Sequence, residues 1–256
     1  MARVAFLACT LAILLPLASA DSCSSKDYCG CSKYGPTAVQ KIVGGVAASG
    51  QDWNWMVSLQ DRDKHECGAI LISLEYAITA AHCVDDVLNN PSRLSILAGT
   101  KYLKGPLASN GQRRTIRSIY MHPNFKTNTL ENDIAILHFD ALSVSAGSLI
   151  GSICLPAANR DPFEINSELV AFGWGVTKAG SKDVSNYLQQ VTLNVFSSTS
   201  IACRNSLIAD PAIQFCAAVN GGGKGRSSSL YCMDRDMSSC DQIRVRAIVA
   251  VPSSLV

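Results

Sequence analysis

The sequence predicts an all-β fold, an antiparallel sandwich or barrel. Three observations carry that expectation: short apolar or alternating runs recur beyond residue 42, turn-forming residues separate them, and no helical period is sustained. In chain order the runs are WMVSL at 55–59, GAILI at 68–72, EYAIT at 75–79, RLSIL at 93–97 and TIRSIY at 115–120. DIAILHF at 133–139, ELVAF at 168–172, LQQVTLNVF at 188–196 and FCAAV at 215–219 continue the series. A last strand is expected over 243–251, IRVRAIVAV, and a single helical turn near 199–204. No internal repeat is visible.

The first twenty residues, MARVAFLACTLAILLPLASA, differ in kind. Arg3 precedes an apolar run over 4–17, and Ala18-Ser19-Ala20 closes it, the layout of a secretory signal peptide cleaved before Asp21. A run of 14 residues interrupted by Thr10 and Pro16 is shorter than the roughly 20 apolar residues that span a bilayer. The expected product is therefore secreted and extracellular, without membrane contact. Residues 21–41, DSCSSKDYCGCSKYGPTAVQK, carry almost no apolar side chains and cannot build a core. They read as a pro-segment or tether. Residues 21–256 suffice for one large all-β unit or two small ones.

Formal net charge is +2, or +1 without Arg3, and no basic face or acidic tail stands out, so nucleic-acid partners are not expected. Of eleven cysteines, Cys9 lies in the leader and ten follow it. An even count in a secreted chain indicates disulfides. Cys29-Gly30-Cys31 is too tight for the usual zinc spacing and has no histidine pair near it, so no metal is expected. No sequon with a permitted middle residue is present.

Four local patterns bear on chemistry. Lys41-Ile42-Val43-Gly44-Gly45 sets a basic residue before an apolar start and two glycines, which alone is a strand entering a turn. Thr79-Ala80-Ala81-His82-Cys83 places a histidine among small residues, its cysteine sixteen positions after Cys67. Asn132-Asp133-Ile134-Ala135-Ile136-Leu137 puts a carboxylate at the edge of an apolar strand. Burial there is costly unless a hydrogen-bond donor meets it, and an imidazole is a natural partner. Gly173-Trp174-Gly175 is a turn with an aromatic plug.

Taken together and in this order, KIVGG, TAAHC, DIAIL and GWG resemble the trypsin/chymotrypsin family of serine endopeptidases, from Ile42 to about Val219. The resemblance implies two packed antiparallel six-stranded β-barrels forming a trypsin-like domain over 42–256, with the C-terminal barrel incomplete. It implies a zymogen activated by a trypsin-like protease between Lys41 and Ile42, a monomer, no cofactor, protein or peptide substrates, and protease inhibitors as partners. His82 takes the place of the general base and Asp133 that of its orienter. Cys67–Cys83 and Cys203–Cys216 match family disulfides, and Cys154 resembles the cysteine that tethers a pro-segment, with Cys23, Cys29 or Cys31 as its partner. The usual partner position of Cys232 is Leu169, which leaves Cys232–Cys240 or another pairing.

The family template separates histidine from aspartate by roughly 45 residues and aspartate from serine by roughly 93. Here the first gap is 51 residues, as an insertion over 87–91 or 101–111 would explain. The second gap points to a serine near residue 226, inside NGGGKGRSSSLYC at 220–232. The family's Gly-Asp-Ser-Gly-Gly-Pro loop is missing from the sequence. Aligning Leu230-Tyr231-Cys232 with the residues after that loop puts Arg226 at the serine. Reading Gly225-Arg226-Ser227 as the altered triplet keeps a hydroxyl, at Ser227. Arg226 then replaces the aspartate that receives the new ammonium of Ile42, and removing one partner of such a buried pair costs about 3–5 kcal/mol. Ser228 and Ser229 stand where glycines make a tight turn, Gly223 where a cysteine anchors the loop, and Gly221 where the trypsin pocket carries its acid. An inactive homologue that binds without cleaving is therefore the alternative expectation. The departure from the family after residue 223 has the form of a changed reading frame, splicing or divergence.

Overall fold

The computed structural model describes residues 29–30, 46–48, 53–104, 111–144, 148–155, 164–175, 183–197, 199–200, 214–218, 230–234 and 249–252. Their regular structure is antiparallel β-sheet with three short 3-10 turns, and among them no helix is long and apolar enough to cross a membrane. β1 (Val46–Ala47) leads into six strands of a closed barrel: β2 (Met56–Asp61), β3 (Lys64–Leu71), β4 (Tyr76–Thr79), β5 (Leu94–Ala98), β6 (Gln112–Met121) and β7 (Ala135–Phe139). Around the barrel they run β2-β3-β4-β7-β6-β5. Closure removes the unpaired edges that would otherwise invite aggregation.

Residue patterns explain these strands. In β7 Ala135, Leu137 and Phe139 are buried while Ile136 and His138 alternate toward the outside, where His138 stacks on Tyr76 with centroids 4.8 Å apart. The β2–β3 hairpin turns through Arg62 and Asp63, both at positive φ (47° and 67°), the backbone of a tight primed turn. A register shift after Leu59 sets Leu59 opposite Cys67 but Gln60 opposite His65, one extra residue that sharpens the local twist.

β8 (Glu168–Gly173), β9 (Gln189–Phe196), β10 (Gln214–Ala218), β11 (Leu230–Asp234) and β12 (Val249–Pro252) form the second sheet, in order β11-β10-β9-β8-β12, with β1 also paired to β9. Its end strands β11 and β12 do not pair with each other among the described residues, so this sheet is open where the first is closed. The sequence runs correspond to β2–β10 within a few residues; β1 and β11 are additional, and only the end of the expected 243–251 strand lies among the described residues. Most of the 199–204 turn also falls outside them.

One continuous core joins the two sheets. Trp53 stacks on Phe172 of β8 at 4.4 Å and 17°, meets Trp55 edge-on at 5.8 Å, and donates its indole N–H to buried Gln190 of β9 at 2.7 Å. Such aromatic pairs add about 0.5–1.5 kcal/mol beyond their burial. A second seam uses backbone carbonyls as acceptors: Leu188 N donates to Lys101 O (2.9 Å), Leu103 N to Asn186 O (3.0 Å), and the Trp174 indole Nε1 to Lys101 O (3.0 Å).

Candidate active site

His82 lies on a 3-10 turn (Ala81–Cys83) immediately after β4. Ala80 and Ala81 are buried, and their small side chains let the chain turn tightly against the barrel. Cys83 N and Val84 N close the turn onto Ala80 O and Ala81 O at 3.2 and 3.0 Å. Two further ties fix its height: Thr79 Oγ1 donates to Gly68 O (2.8 Å), and Cys83 is joined to Cys67 of β3 by a disulfide.

Asp133 enters from the other side. β7 pairs with β4 so that Thr79 faces Ala135, which sets the exit of β4 beside the approach to β7. This register brings together two residues 51 positions apart. The approach loop is clamped by a Lys126–Glu131 ion pair at 2.5 Å and by one backbone bond between the same residues, Lys126 N to Glu131 O at 3.0 Å. The Lys126 ammonium, then a hydrogen bond from Thr129, holds the Glu131 carboxyl below its usual range. Leu130 and Asn132 adopt positive φ (56° and 58°), a conformation that asparagine tolerates better than leucine. Asn132 Nδ2 donates to Asn124 O at 3.1 Å.

The Asp133 side chain is wholly buried, and His82 supplies both of its described hydrogen bonds. His82 N donates to Oδ1 at 2.7 Å and Nδ1 to Oδ2 at 2.5 Å. A carboxylate only accepts, so Nδ1 carries a proton, and in the neutral tautomer this leaves the lone pair on Nε2. The ring is one-third exposed. A buried acid therefore holds an imidazole in one orientation through Nδ1 and leaves Nε2 as its basic nitrogen, the arrangement a general base requires.

Other sequence-stated positions divide cleanly. Cys29 bonds to Cys154, selecting one of three expected partners, and Gly30 N donates to Ser152 O at 2.7 Å beside it. Cys216 is disulfide-bonded; its expected partner Cys203 lies outside the described residues, as do Ser227, Lys41, Ile42, Gly221, Gly223 and Arg226. The structure thus joins His82 to Asp133 and leaves the nucleophile position undescribed. One polar chain across β2, β3 and β6 has no motif to announce it. Ser58 Oγ meets His65 Nδ1 at 2.8 Å, and Gln60 Nε2 donates to Ser58 at 3.3 Å. Arg113 caps Gln60 Oε1 at 2.5 Å. Its only sequence signal is polar residues at β2 positions that ought to be apolar.

The family profile described as "Trypsin" matches residues 42–228. Trypsin alpha of Drosophila melanogaster is 33% identical over 190 residues, covering 71% of this chain and 68% of that protein. Trypsin of Phaedon cochleariae is 31% identical over 191 residues, covering 73% and 70%. Transmembrane protease serine 9 of Rattus norvegicus is 34% identical over 195 residues, 75% of this chain but 17% of that much longer protein. The solved structure of human heparin binding protein superposes with a TM-score of 0.62 at 20% identity, over 84% of this chain and 92% of that one, a likeness of fold.

Proposed function

Because the chain belongs to the trypsin family of serine proteases, we propose that it is built as a secreted serine endopeptidase. Residues 1–20 are its signal peptide, 21–41 its pro-segment and 42–256 its protease domain, activated by cleavage between Lys41 and Ile42. The single observation that carries this reading is the His82–Asp133 pair, a buried carboxylate fixing an imidazole through Nδ1 and leaving Nε2 as the basic nitrogen. In this role His82 Nε2 takes the proton of an attacking hydroxyl, assigned to Ser227, as that oxygen bonds to the peptide carbonyl carbon. The protonated imidazole passes the proton to the departing amine as the C–N bond breaks, and water then releases the acyl group by the same route. Asp133 stays ionised and steadies the imidazolium. The Cys29–Cys154 bond supports the zymogen reading, since it would keep the pro-segment attached after cleavage. Partners on this reading are protein or peptide substrates, an activating trypsin-like protease and protease inhibitors.

A second reading is favoured by the sequence at 223–229, GKGRSSS. Arg226 would meet the freed ammonium of Ile42 with like charge, and Ser228 and Ser229 would crowd a turn that suits glycine. On this reading the chain is a catalytically inactive homologue that binds peptides or decoys inhibitors. The two readings share every residue up to the nucleophile and separate in one experiment. The chain is cleaved at Lys41 and exposed to a fluorophosphonate. Labelling that disappears in Ser227→Ala supports the endopeptidase; an unlabelled chain with native tryptophan fluorescence overturns it and supports the inactive homologue.

A further inference from the structure

Beyond β5 the chain passes through residues 99–104, and this segment is pinned in place. Lys101 O accepts from Leu188 N (2.9 Å) and from the Trp174 indole (3.0 Å), and Leu103 N donates to Asn186 O (3.0 Å). Lys104 N donates to Asn186 Oδ1 at 2.7 Å. Thr100 Oγ1 donates to Tyr102 O and accepts from Tyr102 N, each at 3.1 Å. An antiparallel bridge then sets Tyr102 opposite Tyr187. The result is a fixed corner where the first barrel meets the lead-in to β9.

That corner carries unbalanced charge on an aromatic base. The Tyr102 and Tyr187 rings meet edge-on with centroids 5.1 Å apart, and Tyr102 is 45% exposed. Lys101 Nζ lies 5.7 Å from the Tyr102 centroid and 5.5 Å from that of Tyr187, inside the roughly 6 Å reach of a cation–π contact. Lys104, also exposed, stands two residues beyond Tyr102. Arg93, Arg113, Arg117 and Lys126 each meet a carboxylate, whereas Lys101 and Lys104 meet none among the described residues. The two rings restrain the Lys101 ammonium, which lowers the entropy lost when an anion binds it.

We propose that Lys101, Tyr102, Lys104 and Tyr187 form a docking site for an acidic peptide segment of a partner protein. Carboxylates of the partner pair with the two ammonium groups through charge-assisted hydrogen bonds, and an apolar side chain between them covers the Tyr102 ring. Exposed tyrosine suits a protein partner, since it is enriched where proteins meet. A sulfated saccharide fits less well, because such chains are held by dense runs of cations, and here two lysines alternate with phenol rings in a chain of net charge +2. Docking at this corner needs no nucleophile, so it holds on either reading of residues 223–229, and its test reads no hydrolysis.

The full chain, disulfides intact, is titrated into fluorescein-labelled Glu-Glu-Leu-Phe-Glu-Glu and into the matched Gln-Gln-Leu-Phe-Gln-Gln, with fluorescence anisotropy as the readout. The expected result is saturable one-to-one binding of the acidic peptide alone, weakened by about tenfold as NaCl rises from about 50 to about 500 mM. The double variant Lys101→Gln, Lys104→Gln removes charge and keeps length, and should weaken binding by about five- to tenfold. Tyr102→Ala should weaken it by about tenfold, and Arg117→Gln, a charge change elsewhere, should leave it unchanged. Equal binding of the two peptides overturns the proposal, as does an affinity unmoved in the double lysine variant or reduced equally in Arg117→Gln. A chain that ignores the acidic peptide at about 1 mM overturns it too, and so does one that binds a sulfated oligosaccharide in its place. Should Tyr102→Ala disturb the fold, the emission of Trp174, bonded to Lys101 O, reports it, and the double lysine variant then decides alone.

Discussion

Asp133 shows how one residue can be costly to bury and yet be retained. Its carboxylate is wholly buried and receives both described hydrogen bonds from a single partner, His82. Asp133→Asn separates shape from charge. An amide can turn its N–H toward the ring, so Nδ1 should lose its proton and Nε2 should gain it. Nitrogen-15 NMR of the imidazole is expected to show that swap. Any acyl-transfer rate should fall by about four orders of magnitude, the size of the tautomer effect in the serine–histidine–aspartate template. Asp133→Ala instead strands the His82 backbone N–H and should cost about 1–3 kcal/mol in urea unfolding. Both residue types were legible in TAAHC and DIAIL. Their pairing was implied by the family resemblance, and the β4–β7 register that brings the two distant segments together is what the structure adds.

At the scale of elements, Arg113 of β6 draws three neighbours together. Its guanidinium donates to Gln60 Oε1 on β2 and to Ser95 Oγ on β5 (3.0 Å), and pairs with Asp63 in the hairpin turn (2.8 Å). Gln60 is only 1% exposed, so Arg113→Met should leave its carbonyl without this charged donor and cost about 1–3 kcal/mol. Arg117→Ala is the contrast. Its partner Asp140 holds the guanidinium pKa above its ordinary value, yet both groups face solvent. The urea midpoint of that variant should not move. Strands β2–β10 were readable because each is a short apolar or alternating run set off by turn-forming residues. β1 is two residues long and exists only through its pairing with β9, so no local pattern could announce it. β11 follows a run of serines and glycines and is likewise set by its partner, β10.

At the scale of the molecule, the two sheets are held as one body by a small aromatic patch and a backbone seam. Trp53 belongs to the segment before β2 but packs on β8 and bonds to β9. Trp53→Ala should cost about 3–5 kcal/mol by opening a cavity where the sheets meet. Differential scanning calorimetry should show the single transition of a continuous core broaden or divide. A transition that stays single and shifts by less than 1 °C would mean that the patch does not couple the sheets. His82 and Asp133 both come from the closed first barrel, which explains why the pair is fully formed although the second sheet is open.

By itself the sequence determined the strand content, the disulfide habit, the family and the two motifs that carry His82 and Asp133. Each of these is a matter of composition, period or short motif, and local chemistry is enough to specify it. Tertiary structure alone decided three things: that β7 inserts between β4 and β6, that Cys29 rather than its neighbours holds Cys154, and that His82 Nε2 lies beside Cys83 Sγ. The physical reason is common to all three. Contacts between distant segments are selected by closing a barrel and filling one core, and that competition is settled by the whole chain at once.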